Sequence, residues 1–209
     1  VLPVSVIAEW LAHAAIHRNP GLELHGFDDL RIFQGVRVDR HNSATLSVLA
    51  GKPRRIDDLF DAKTQLIGKV NDRNVVHAAA QVILSPSYHA APVPSLHVSA
   101  HRYAIDLATT YQTRLFHGIR FQGIMAIEAC SSDGIVLESR TTSAPWEWMR
   151  EPLRNTWLID PLAIDVALQA VIIWSQEMRQ EPCLPCFISR YRQYRRVFPR
   201  EGVRIVVRV

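Results

Sequence analysis

The sequence predicts an α+β chain made of two similar units, each a curled antiparallel sheet around one central helix. Two observations carry this. Segments 3–18 and 161–178 are both proline-led and apolar on most faces, so helices there should be buried rather than merely amphipathic. Each holds a carboxylate in its apolar body, Glu9 and Asp165, and each is followed by long segments rich in Val, Ile and Arg. A helix apolar on most faces wants a sheet curled around it, because a flat sheet covers only one side. Side by side, two such units would share one continuous sheet.

The first helix carries Val6, Ile7, Trp10, Leu11 and Ala14 on its apolar side and stops at Asn19-Pro20-Gly21. Strands are expected at 30–39, 44–50, 65–70 and 75–84. Residues 85–100 are rich in Pro, Ser, His and Ala, with prolines at 86, 92 and 94, and form the best linker. Further strands are expected at 119–129 and 134–140, joined by a hairpin turn at Ser131-Ser132-Asp133-Gly134. The second helix follows, then strands at 186–197 and 203–209. The expected division is a first unit over 1–85, a linker over 86–114 and a second unit over 115–209.

With 209 residues, 48% hydrophobic and 21% charged, the composition is that of an ordinary globular chain able to bury a substantial core. There is no run of about 18 apolar residues, so no membrane span is expected. The N-terminus lacks the regions of a signal peptide and begins Val1-Leu2-Pro3 without Met, as though cut from something longer. Three cysteines cannot all pair, which suits a reducing cytoplasm. The net charge of +4 comes mainly from arginine, with Arg190, Arg192, Arg195, Arg196, Arg200, Arg204 and Arg208 near the C-terminus. They are read first as a solvated strand face, next as a docking surface for an acidic carrier protein, and last as a nucleic-acid surface.

Asp165 is the most informative residue. It lies in the most apolar stretch of the chain, and burying an ionised carboxylate without a partner is costly enough to raise its pKa. Gln169 is four residues on and shares its helix face. A carboxylic acid oriented by an amide has what a general acid needs, although backbone donors could equally satisfy a structural aspartate. Glu9, His13 and His17 form a stripe better explained as a solvent-facing polar face than as metal ligands. Cys183 and Cys186 have CxxC spacing, but no second pair completes a zinc site and no helix start follows to support redox chemistry. No phosphate-binding glycine loop or G-x-S-x-G elbow is present.

Four motifs then resemble one family. The stretch DPLAIDVALQ at 160–169 looks like the P-x-L-L-D-x-x-x-Q helix of polyketide synthase dehydratase domains. LFHGIRFQG at 115–123 is similar to that family's Y-G-P-x-F-Q-G segment, and closer to the F-H-G-P-x-F-Q variant of polyunsaturated fatty acid synthase-like systems. Leu184-Pro185-Cys186-Phe187 sits where the family has its L-P-F strand start, and Val1-Leu2-Pro3 followed by Glu9 resembles the tail of H-x-x-x-G-x-x-V-L-P…E. The order and spacing match over nearly the whole chain.

The resemblance implies a double hotdog fold and dehydration of a 3-hydroxyacyl thioester on an acyl carrier protein to an enoyl thioester. In the family a histidine of the first hotdog removes the α proton and an aspartate of the second protonates the leaving hydroxyl. That role maps onto Asp165, with Gln169 orienting it. Gly118 would let a backbone N–H approach the thioester, and Phe116, His117, Phe121, Leu184 and Pro185 would line the acyl tunnel. No metal or other cofactor is implied beyond the carrier's phosphopantetheine. Expected partners are the carrier protein, other synthase domains and a second copy, with no nucleic acid and no membrane.

The chain departs from the family at three places. The family's histidine falls nine residues before Pro3, hence upstream of Val1. Ile119 stands where the family has proline, and the chain stops at Val209, short of the usual last strands. Two alternatives follow: a pseudo-dehydratase that binds acyl chains without turnover, and a cyclase like the product template domains of aromatic synthases.

Overall fold

A computed structural model of the chain describes residues 1–38, 43–70, 73–93, 98–99 and 101–209. The end of the expected strand at residue 39 and parts of the expected linker, 94–97 and 100, lie outside the described residues. The chain divides into two compact units. The first comprises Val1–Ala91, Met149–Ile159 and Cys186–Arg196; the second comprises Pro92–Trp148, Asp160–Pro185 and Val197–Val209.

In the first unit, helix α1 (Val4–His17) buries Val6, Ile7, Ala8, Leu11, Ala12, Ala15 and Ile16. These residues run most of the way round the wheel, as the apolar pattern requires. The strands are β1 (Glu23–Ile32), β2 (Leu46–Ala50), β3 (Arg54–Ile56), β4 (Leu59–Val70) and β5 (Arg73–Ser85). The helix packs against β1, β2, β4 and β5. Glu9 is buried, and its carboxylate accepts from the backbone N–H groups of Leu158 (3.0 Å) and Ile159 (3.0 Å). The solvent-facing reading of Glu9 is therefore corrected: the carboxylate is an internal tie for segment 149–159. His13 accepts a hydrogen bond from Arg154 Nε (3.1 Å) and stacks on His17.

In the second unit, helix α2 (Leu107–Thr113) precedes strands β6 (Ile124–Ser131) and β7 (Gly134–Ser139). Helix α3 (Pro145–Trp148) follows, and then the long helix α4 (Pro161–Arg179). Strand β8 (Phe187–Arg192) returns to the first unit, and β9 (Val203–Arg208) closes the second. Helix α4 packs on β6, β7 and β9. Leu115, Ile124, Ile135, Leu137, Leu162, Val166, Ala170 and Ile173 form the core between them.

The strands join into two antiparallel sheets, ordered β2-β4-β5-β1-β8 with β3 on β4, and β6-β7-β9. Each unit is thus a helix against an antiparallel sheet, and the α+β class with two hotdog units is the observed fold. Several details differ from the sequence reading. The strands form two separate sheets among the described residues, not one continuous sheet. Strand β8, expected in the second half, pairs with β1 of the first unit, with Gly26 opposite Arg192. A Cβ at Gly26 would lie 1.9 Å from the Tyr191 carbonyl oxygen, and its φ of +150° also favours glycine, so only glycine admits β8 there. Strand β1 starts at 23 rather than 30, because register shifts near Leu24 and Asp28 break the alternation on which the sequence reading depends. Finally, 107–113 is a helix inside the expected linker, with Asp106 capping it by accepting from the Thr109 N–H (3.0 Å).

The expected strand over 119–129 begins only at Ile124, since Ile119–Phe121 forms a short 3₁₀ turn. Of the C-terminal arginines, Arg192 pairs bidentately with Asp28 (2.7 and 2.9 Å), and Arg204 grips Glu128 (2.9 Å). No helix of the described residues is long and apolar enough to cross a membrane.

Candidate active site

The start of α4 is locked in place ahead of the candidate residues it presents. Asp160 caps it by accepting from the Ala163 N–H (2.8 Å), and Pro161 occupies the first turn, where its missing N–H costs nothing. The Asp160 carboxylate also accepts from Thr142 N–H (2.8 Å) and Thr142 Oγ1 (2.6 Å). Thr142 Oγ1 in turn accepts from the Leu162 N–H (2.8 Å). Gly123 approaches α4 so closely that a Cβ there would meet Leu162 and Val166 side-chain atoms at 2.7–2.8 Å. The last residue of the F-Q-G motif is therefore a packing requirement, one that sets the loop against the helix one turn from Asp165.

Asp165 and Gln169 both point into this junction, with Asp165 4% exposed and Gln169 fully buried. Gln169 Nε2 donates to Asp165 Oδ2 (2.7 Å) and to the Phe121 carbonyl oxygen (2.7 Å). Its Oε1 accepts from the Tyr111 hydroxyl (3.1 Å), which accepts in turn from the Ile124 N–H (3.0 Å). Burial pushes the Tyr111 phenol up to about 12, so it remains an O–H donor at neutral pH. The carboxyl thus meets an amide donor whose far end is itself held.

His117 Nε2 lies 3.4 Å from Asp165 Oδ2, with 11% of its side chain exposed. An ionised carboxylate at that distance would favour a charged imidazole, yet burial dominates and lowers the His117 pKa to about 4. The neutral ring stacks on Phe116, and its Nδ1 is buried without a partner among the described residues. Gln122 Nε2 donates to the His117 carbonyl oxygen (3.1 Å), tying the loop to itself. At Gly118 a Cβ would meet nothing within 4 Å, so packing within the chain does not demand glycine there, in contrast to Gly123.

The expected residues are brought together unevenly. Asp165, Gln169, His117 and the Phe121 backbone share one cluster, while the Phe121 ring packs edge-on against Trp148. Phe116 is 69% exposed and Leu184 70% exposed, and Leu184 and Pro185 lie in the extended segment beyond the end of α4. Tyr111 escapes a sequence reading in which 107–113 is linker. The helix-capping Asp106, three residues before Thr109, is the signal that reveals it. Among the described residues no group of three or more His, Cys, Asp or Glu is placed to hold a metal. The three thiols are free, and burial raises that of Cys130 to about 11.

The family model described as polyketide synthase dehydratase N-terminal domain matches residues 89–209. The chain is 29% identical over 205 residues to a polyunsaturated fatty acid synthase polypeptide of Thraustochytrium sp., covering 94% of this chain and 7% of that protein. It therefore spans a small fraction of the curated relative it matches. The fold is similar to the dehydratase domain from the CurF module of curacin polyketide synthase, with TM-score 0.75 and 17% identity. The corresponding domain of the CurK module gives TM-score 0.72 and 18% identity. Both matches cover 100% of this chain and 73% of the solved chain. With the Asp–Gln helix and the glycine loop in contact, and the family model matching more than half its length, the chain belongs to the polyketide synthase dehydratase family.

Proposed function

We propose that this chain removes water from a 3-hydroxyacyl thioester on an acyl carrier protein, as the dehydratase region of a polyketide or polyunsaturated fatty acid type synthase. The observation that carries this reading is the buried Asp165 carboxyl, held by Gln169 beside the phenylalanine–histidine–glycine loop. In the proposed step a base removes the α proton, the Cβ–O bond breaks, and the proton of Asp165 goes to the departing oxygen, releasing water. In the family this base is a histidine, at a motif position that falls before Val1. Gln169 supports the reaction because its N–H meets the negative charge that Asp165 acquires as it gives up the proton.

The glycine at 118 supports a role in receiving the thioester, since no internal packing requires it and its backbone can come close to a carbonyl. Phe116 and Leu184, exposed apolar side chains, fit walls for an acyl chain, and Phe121 and Pro185 complete the proposed lining. The reaction is an acid–base elimination, so an acid, a base and a hydrogen-bond donor suffice without a metal or redox group. A carrier protein, the neighbouring synthase domains and a second copy of the chain are the proposed partners, in the cytoplasm.

The test is turnover by the full-length protein on a 3-hydroxyacyl carrier-protein thioester, followed by mass spectrometry of the enoyl product. Asp165→Asn should lower the rate by about 10²–10⁴-fold, the usual contribution of a positioned acid. A variant that matched wild type would refute the assignment.

A further inference from the structure

We infer that Tyr111 is a positioning residue for this reaction: its hydroxyl dictates which end of the Gln169 amide faces Asp165. The inference rests on the proposed dehydration and goes beyond it, because the Tyr111 hydroxyl acts on Asp165 through its hydrogen bond to Gln169.

Donors and acceptors on either side of the amide fix its orientation. The Ile124 backbone N–H can only donate, and it points at the Tyr111 oxygen at 3.0 Å. The phenol oxygen is therefore an acceptor on that side, leaving its single proton for Gln169 Oε1 at 3.1 Å. At the other end of the amide, the Phe121 carbonyl can only accept, and it lies 2.7 Å from Nε2. Two independent anchors thus agree. Rotating the amide by half a turn would set its oxygen 2.7 Å from both the Phe121 carbonyl and Asp165 Oδ2, and its NH₂ against a hydroxyl already accepting from Ile124.

The consequence falls on Asp165. With the amide held, an N–H faces the carboxyl at all times and favours its ionised product form. Without the Tyr111 hydroxyl, Gln169 Oε1 is a buried acceptor with no partner, and the amide gains freedom to turn or withdraw. Tyr111 stays protonated throughout the working range because burial holds its pKa at about 12. The other ionisable groups set around this point are His117 beside Asp165, and Arg140, whose charge acts on Tyr111. His117 is neutral above about pH 4.

The experiment compares wild type, Tyr111→Phe, Gln169→Leu and the double variant in the full-length protein, across pH, on a 3-hydroxyacyl carrier-protein thioester. Removing one hydroxyl should lower kcat by roughly tenfold, the worth of a buried hydrogen bond, and leave KM within about twofold. The alkaline limb of the kcat profile, where the acid loses its proton, should move to higher pH, and the acid limb should stay. In the Gln169→Leu background, Tyr111→Phe should cost almost nothing more, because its effect passes through the amide. A merely structural tyrosine would lower the melting temperature without moving the limb. The inference is overturned if Tyr111→Phe keeps kcat within twofold, if the alkaline limb does not move, or if its loss adds in full to that of Gln169→Leu. Asp165→Asn separates the two readings. If it retains turnover, the proposed function fails; if it is inactive while Tyr111→Phe is silent, only the role of Tyr111 fails.

Discussion

Replacing Asp160 with alanine should destabilise the second unit by about 3–7 kcal/mol, and the figure can be built from its partners. Asp160 is 4% exposed and receives hydrogen bonds from Ala163 N–H, Thr142 N–H and Thr142 Oγ1. Loss of a helix N-cap costs about 1 kcal/mol. The two Thr142 donors would then be left without an acceptor in a shielded site, at about 1–3 kcal/mol each. Asp160→Asn keeps one acceptor oxygen and should lose about half as much. The assay is guanidinium unfolding, with hydrogen–deuterium exchange over 160–170 to locate the effect at the start of α4. Exchange in this turn should rise sharply in Asp160→Ala, and turnover should fall with it, because Asp165 lies one turn further along. An Asp160→Ala protein within 1 kcal/mol of wild type, with unchanged exchange over this turn, would refute the claim that this cap holds the acid in position.

Gly123→Ala should cost about 1–3 kcal/mol by overpacking against Leu162 and Val166, while Gly118→Ala should leave the melting temperature within about 1 °C; equal melting losses at the two positions would contradict the contrast between them. The His117 pKa, lowered to about 4 by burial, gives stability a defined pH dependence. The unfolded chain takes up this proton near pH 6.5 and the folded chain only near 4, so folding is favoured above 6.5 and the advantage is lost as pH falls through that window. His117→Gln should remove up to about 2 kcal/mol of the loss between pH 7.5 and 4.5, after allowance for water at the rim of the ring. Urea midpoints at the two pH values measure it, and parallel losses in wild type and variant would count against the buried, neutral histidine.

The two long helices are legible to within a residue or two, because Pro3 and Pro161 mark their starts and their apolar faces run nearly all round. The Ser131–Gly134 hairpin is equally plain from its turn residues. Asp165 and Gln169 can be paired from their spacing alone, and the structure places them 2.7 Å apart. What escapes is non-local. Strand β8 pairs with a strand more than 150 residues earlier, and the only local trace of that pairing is a glycine at 26 whose missing side chain admits the neighbour. The buried pattern of β1 does not alternate, since Asp29 adopts a positive φ within it. Tyr111 gives no signal without knowledge of α2, and the exposed state of Phe116 cannot be read from hydrophobicity. Glu9 looks like part of a polar stripe, but the two backbone donors it serves arrive from residues 158 and 159.

The most direct test of the central claim, that Asp165 donates the proton to the leaving oxygen, is elimination from a substrate that does not need it. A 3-fluoroacyl carrier-protein thioester is close in size to the 3-hydroxyacyl substrate, and fluoride departs without prior protonation. With the full-length protein, Asp165→Asn should lose about 10²–10⁴-fold on the hydroxyl substrate while retaining most of the wild-type rate on the fluoro substrate. Equal losses on both substrates would contradict the account, since Asp165 would then serve a step other than protonation of the departing group.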